Sequence, residues 1–255
     1  MTVSTTAWEK YIKTLAAVDK TAAQKFAVYL QRKQLTMGSE TVRKEVIDYA
    51  YALAKTYGES AAAAACEMYD AIAKLEGVLL PAAVPAETAT YGEVAKTVNG
   101  MIKQKASAET MGAAVGRLVK RAGVDTTVKN ALRDGAQWAW IPSGDTCAFC
   151  IMLASRGWQN ASKEAMRNGH AEHVHSNCDC TYAVRHNSRT EYKSYDPDKY
   201  LEMYEEADED GRSWQSRVNV MRRQQYAEKK DEINAQKREA YAARQERLGE
   251  NQEKA

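Results

Sequence analysis

Four of the chain's five cysteines, Cys147, Cys150, Cys178 and Cys180, fall in one short stretch, and His170, His173 and His175 lie just ahead of the second pair. The cluster reads Cys147-Ala-Phe-Cys150 and, after a spacer, His173-Val-His175-Ser-Asn-Cys178-Asp-Cys180. Zinc takes four soft or borderline ligands in a tetrahedron, and a two-residue gap lets two thiolates of one turn reach the same ion at about 2.3 Å. His175 and Cys178 repeat that gap. Cys147, Cys150, His175, Cys178 and Cys180 therefore compete for the places around one zinc, the expected cofactor. The spacing favours Cys147 and Cys150 with two of the other three. His170 and His173 repeat no such gap to a cysteine and are weaker candidates.

A structural metal is weighed against two catalytic uses. His170-Ala-Glu172 matches the His-x-Glu of zinc deaminases, but in that chemistry the motif precedes Pro-Cys-x-x-Cys. Here Cys147-x-x-Cys150 comes first and Thr146 replaces the proline, which argues against deamination. A zinc-dependent nuclease of a mobile element is the alternative function, with His186 as base and Asn187 as orienting amide. The structural reading is favoured: short strands and loops bury little apolar area alone, and a closed Cys/His site adds roughly 10 to 16 kcal/mol of apparent binding energy. No catalytic residue is assigned, and the chain is expected not to be an enzyme.

An odd number of cysteines with four clustered fits reduced ligands better than a disulfide framework. The N-terminal Met1-Thr-Val-Ser-Thr-Thr lacks a basic region followed by an apolar run, and no stretch is apolar for long enough to span a bilayer. A soluble product made in a cytoplasm, without a membrane partner, is the expectation. At 255 residues and 44% hydrophobic content the chain can bury a real core, and its net charge of +2 says little about partners.

The elements that position the cysteines are mostly helical. Trp8, Tyr11, Ile12 and Leu15 share one face, and Phe26, Tyr29 and Leu30 continue the pattern in a second segment. Ser39 stands where an N-cap belongs, ahead of Val42, Val46, Tyr49, Leu53 and Tyr57, with Gly58 as the stop. A further helix runs from Ala61 to Gly77. Residues 1–77 thus form an N-terminal helical bundle, and 78–88, with Pro81 and Pro85, read as a linker. Residues 89–135 form a second helical region, with stops at Gly123 and Gly135. Residues 136–188 are the Cys/His module: a strand at Gln137–Ile141, a short helix over Cys150–Arg156 ended by Gly157, another capped by Ser162, and a strand at Thr181–Val184. The fold class is mainly α, with a small zinc-stabilised α+β module.

Residues 189–255 are an acidic block followed by an extended, basic helical tail. Arg222-Arg-Gln-Gln-Tyr226-Ala returns fifteen residues later as Lys237-Arg-Glu-Ala-Tyr241-Ala, and Ile233 returns as Leu248. Arg222, Arg223, Lys229, Lys230, Lys237, Arg238 and Arg244 could track phosphates on such a helix, with a salt-dependent affinity. A solvated charged helix that pairs with another protein surface is the simpler account.

The run Trp138-Ala-Trp-Ile-Pro-Ser-Gly-Asp145-Thr-Cys147-Ala-Phe-Cys150-Ile-Met-Leu153-Ala-Ser-Arg-Gly157, with its His-x-x-Cys-x-Cys closure, resembles tailed-bacteriophage minor capsid proteins of the Mu F type, the head-morphogenesis group. The likeness covers about a fifth of the chain. Asp48-Tyr-Ala-Tyr-Ala-Leu-Ala-Lys-Thr-Tyr57-Gly-Glu also looks like the helical front half of phage members. Asp179 departs from the basic residue usual between the last two cysteines. The resemblance implies a low-copy component inside the virion head near the portal, assembled in the host cytoplasm. It would act in head assembly or DNA packaging and delivery. The partners implied are portal protein and major capsid protein or scaffold, with packaged DNA as a further one, and no small-molecule substrate.

Overall fold

A computed structural model describes residues 2–3, 6–33, 39–143, 146–162, 180–193, 195–208 and 213–253. The described chain is mainly helical with a small sheet. α1 (Thr6–Lys33), α2 (Glu40–Leu75), α3 (Tyr91–Lys103) and α4 (Ala108–Asp134) make a bundle in which α1, α2 and α4 pack on one another. At one end Phe26, Leu30, Val46, Leu53, Val94 and Val115 close a core with α3. At the other, Trp8, Tyr11, Leu15, Tyr69 and Ile72 belong to a second core that continues into the sheet. The two helical regions, 1–77 and 89–135, therefore share their interior.

Several glycines read as stops lie inside unbroken helices. α2 runs through Gly58 and α4 through Gly123, and the segments expected on either side of residue 20 are one helix, α1. The reason is packing rather than chain reversal. A Cβ on Gly123 would meet Leu15 Cδ1 at 3.0 Å and the Ala61 carbonyl oxygen at 3.1 Å, and one on Gly58 would meet Thr88 Cγ2 at 3.0 Å. Gly112 and Gly116 join Gly123 on one face of α4, and α1 lies against them: a Cβ on Gly112 would sit 2.5 Å from the Ala23 carbonyl oxygen. Gly135 is a true terminus, with φ of 64° and open space around it.

α3 and α4 start where side chains satisfy their first N–H groups. Thr90 and Glu93 form a reciprocal capping box, and Glu93 also takes a 2.8 Å bond from Arg121 of α4. Ser107 caps α4 by accepting from the Thr110 N–H at 3.2 Å.

Residues 78–88, expected as a linker, and the two residues after them carry neither helix nor strand, and this stretch of 78–90 is strapped to α4. Asn130 acts as a strand partner would: its Oδ1 accepts from the Val84 N–H at 2.9 Å and its Nδ2 donates to the Val84 carbonyl at 2.9 Å. Thr126 Oγ1 accepts from the Ala86 N–H, and Arg133 donates to the carbonyls of Pro81 and Ala82. Thr126, Asn130 and Arg133 recur at helical spacing, so one polar face of α4 satisfies an otherwise unpaired backbone.

Beyond α4 a three-stranded antiparallel sheet has the order β3-β2-β4: β2 (Gln137–Ile141) lies between β3 (Gln159–Asn160) and β4 (Thr181–Arg185). A second, minor pairing joins β1 (Thr2–Val3) in parallel to β5 (Glu191–Tyr192), a β signal the sequence pattern does not reveal. α5 (Ala148–Ala154) follows β2, α6 (Pro197–Glu205) starts behind its N-cap Asp196, and α7 (Trp214–Glu253) is the expected extended tail helix.

The glycine contacts predict opposite outcomes for one substitution. Gly112→Ala should destabilise by about 1–3 kcal/mol, since backbone rather than a flexible side chain is in the way. Gly100→Ala in α3, where a Cβ meets nothing within 4 Å, should stabilise by about 0.5–1 kcal/mol. Urea melts of the two variants beside the parent check this, and a Gly112→Ala protein as stable as the parent would refute the close approach.

Candidate metal centre

β2 is buried on both faces, which explains its weak alternation. Trp138 and Trp140 share one face with Tyr182, paired across from Trp140, and both indoles meet the Tyr182 ring edge-on at 4.7 Å. Ala139 and Ala183 face the other way, paired with each other. The last residue of β2, Ile141, pairs with the first of β4, Thr181. Cys180, one residue before β4, is therefore held at the same end of the sheet from which the chain leaves β2 towards Cys147.

Cys147 is the N-cap of α5, with φ of −73° and ψ of 156°, and Cys150 lies in the first turn. That arrangement places both cysteines at the N-terminal end of one helix. Cys150 and Cys180 are buried, Cys147 half-buried, and all three belong to the core that joins sheet and bundle. The topology thus gathers three of the five predicted ligands at one end of the small sheet. His175 and Cys178 lie outside the described residues, as do Asp145, His170, Glu172, His173 and the helix expected after Ser162. Among the described residues no three His, Cys, Asp or Glu side chains converge as a metal-binding set. The donor chemistry suits zinc, and the three described cysteines do not complete a site on their own.

Gln225 of α7 is a residue the motif does not reveal. Its Oε1 accepts from the Ala148 N–H at 3.0 Å and its Nε2 donates to the Thr146 carbonyl at 2.9 Å, so one amide clamps the backbone on both sides of Cys147. Val218 and Met221 are buried beside it in the same core. The signal was present in the repeat. Gln225 corresponds to Ala240 in the second copy, and this is where the two copies differ in function.

The pair proposed for nuclease chemistry is arranged differently. The His186 N–H donates to Glu76 Oε2 at 2.7 Å, and its ring stands edge-on to Tyr69 at 5.2 Å. Its Nε2 is buried with no hydrogen-bond partner among the described residues, as is Glu76 Oε1. Asn187 builds a turn, its Oδ1 accepting from the Arg189 N–H at 3.0 Å. Tyr69 also donates to Asp134 at 2.9 Å, and Asp134 is paired with Arg133 at 2.7 Å. Burial holds the His186 imidazole below its ordinary value, against the pull of Glu76 and Asp134. Asp125 is moved the other way: burial pushes its carboxyl up to about 6, with Arg121 opposing and Glu93 adding to the rise.

Arg222, Arg223, Lys230, Lys237 and Arg238 are exposed and Lys229 half-exposed; Arg244 lies on α7, and its surroundings are outside the described residues. Ser216, Asn219, Arg222, Arg223 and Tyr226 line a shallow polar concavity of about 610 Å³.

Two predictions rest on this geometry. Gln225→Ala should cost about 1–2 kcal/mol, because the Ala148 N–H loses its acceptor in a part-buried place; thermal melts measure it. The titrating groups act in opposite directions. The stability that neutral His186 contributes is full above its ordinary pKa of 6.5 and is lost as pH falls through the depressed folded value. The stability that protonated Asp125 contributes is present at acid pH and lost as pH rises through about 6. His186→Phe should therefore gain on the parent as pH drops from 7.5 to 5, and Asp125→Asn should gain as it rises, each by about 1 kcal/mol after solvent screening. Parallel pH slopes for parent and variants would refute the assignment.

Residues 2–207 match the family model described as VG15 protein. No curated protein and no solved structure matches the chain. The matched stretch runs from β1 to just past α6, taking in the bundle, the strap, the sheet and the cysteine cluster, and no described helix is long and apolar enough to cross a membrane. With some four-fifths of its length matched, the chain belongs to the VG15 protein family, a viral gene protein family, and is a viral protein of a kind that points to phage.

Proposed function

We propose that this chain is a phage minor capsid protein of the head-morphogenesis type, a low-copy component inside the head near the portal. It would act in head assembly or in DNA packaging and delivery, with portal protein and major capsid protein or scaffold as partners. The observation that carries the reading is the Asp145-x-Cys147-x-x-Cys150 to Cys178-x-Cys180 pattern on a small sheet attached to a helical bundle, in a chain of a viral family.

In this reading zinc is structural. Cys147 and Cys150 from the start of α5, with two of His175, Cys178 and Cys180, would hold it, and the metal would tie the start of α5 to the edge of β4. Four protein ligands, whether cysteine or histidine, would leave no open position for a substrate, so no catalysis is assigned. Packaged DNA is a further partner, met through Arg222, Arg223, Lys229, Lys230, Lys237, Arg238 and Arg244 of α7.

The test combines composition with activity. Elemental analysis should give about one zinc per chain, and a chelator should lower the melting temperature. The protein should cosediment with portal or procapsid. Plasmid incubated with the metal-loaded protein should stay supercoiled; metal-dependent nicking abolished by His186→Ala would instead establish the nuclease.

A further inference from the structure

Between α2 and the strap of residues 78–90 lies a groove of about 770 Å³. The strap runs antiparallel to the helix, with Ala83 bonded to Asp70 at one end and Tyr91 stacked edge-on against Tyr51 at 5.4 Å at the other. Along α2 the lining extends from Tyr51 to Glu67, roughly 24 Å of helix. The floor is made of small side chains, Ala62, Ala63 and Cys66. Glu59, Glu67 and Glu87 stand along it, all exposed, and no lysine or arginine is among its described lining residues. Glu67 is paired with Lys10 at 2.9 Å; among the described residues no cation pairs with Glu59 or Glu87.

α7 has the complementary character. Met221 is its last buried residue among those described, and beyond the Gln225 clamp about 42 Å of helix runs on from Tyr226 to Glu253. An isolated helix of this composition is marginal in water. Tyr241 is 65% exposed and Lys237 and Arg238 beside it are exposed. Residues 233–248 hold four basic and two acidic side chains and span roughly 22 Å, close to the length of the groove. Being unbroken, α7 cannot turn back to the α2 of its own chain.

We infer that the distal part of α7, residues 233–248, docks in the α2–strap groove of a second copy of this chain, with Tyr241 over the alanine floor and Lys237 and Arg238 facing Glu59 and Glu87. Small floor residues let two helix axes approach to about 8 Å. The contact joins different surfaces of the two copies, so its repetition builds a ring or a chain of subunits. It does not depend on the zinc reading.

Sedimentation velocity of the full chain, at concentrations up to about 100 µM and at low and high salt, tests the inference. Self-association that weakens with salt is expected. Glu59→Lys with Glu87→Lys should abolish it, and adding Lys237→Glu and Arg238→Glu to those two should restore it. A monomer throughout, or association that the rim reversal leaves unmoved, overturns the proposal. Position is tested separately with Tyr241→Cys, oxidised by diamide in an equal mixture of light and heavy isotope-labelled protein. A peptide joining Cys66 to position 241 across the two labels is expected; none, or links only within one label, overturns it.

Discussion

The approach of α1 to α4 governs where everything else sits. Gly112, Gly116 and Gly123 clear one face of α4, and the α1 backbone at Ala23 and the Leu15 side chain occupy the space. This depth of contact carries the start of α1 past the end of the bundle and under the sheet. There the Trp8 ring meets Tyr192 edge-on at 5.3 Å, and the Tyr11 hydroxyl lies beside Thr127 of α4 and Thr181 of β4. That hydroxyl is buried and completes no hydrogen bond among the described residues, so ring packing contributes most to its place. A methyl group on α4 would push α1 outward and with it the surface on which β4 rests, so helix packing reaches Cys180 through two layers.

This continuity alters the energetic role of the metal. Two strands alone would depend on zinc, whose apparent contribution is of the order of 10 kcal/mol. Here Trp138, Trp140 and Tyr182 are each at least 96% buried in a core shared with α1, α2 and α4. Burying three such rings gives a gross term of about the same size. The indole N–H groups of Trp138 and Trp140 find no hydrogen-bond partner among the described residues, which returns some of it at about 1–3 kcal/mol apiece. The bundle alone thus supplies a contribution of that order, so a zinc at the proposed site would matter to the turn around Cys147 more than to the sheet.

The sequence exposes some of this and conceals the rest for identifiable reasons. The strands at 137–141 and 181–184 were legible because aromatic and β-branched residues cluster there between turn residues, and Gly77, Gly135 and Gly157 mark real helix ends with positive φ. Gly58 and Gly123 carry the same letter for a different purpose. A glycine needed for close approach and one needed for a left-handed cap are indistinguishable without the partner helix, which lies about a hundred residues away for Gly123. The attachment of the strap is hidden for a similar reason, since proline marks non-helical backbone but not what binds it. Only the spacing of Thr126, Asn130 and Arg133 on α4 hinted at a bound segment. Of the candidate metal ligands, Cys147 and Cys150 fall together at the start of α5, and the place of Cys180 beside the end of β2 follows only from the β2–β4 register.

Gln225 shows how the two halves of the tail helix came to differ. A repeat that places Arg-Arg or Lys-Arg three or four residues ahead of tyrosine presents the same charged, aromatic surface twice. In the first copy the position before tyrosine holds an amide, which can donate and accept at once, and the backbone around Cys147 offers one carbonyl and one N–H to match. In the second copy alanine can do neither. Both repeats keep their tyrosine and the basic pair ahead of it exposed, and the first adds the Gln225 contact with the backbone around Cys147. The family match ends at residue 207, before α7 begins. Cys147, Cys150 and Cys180 therefore lie within the matched stretch, whereas Gln225 and the exposed repeat lie beyond it.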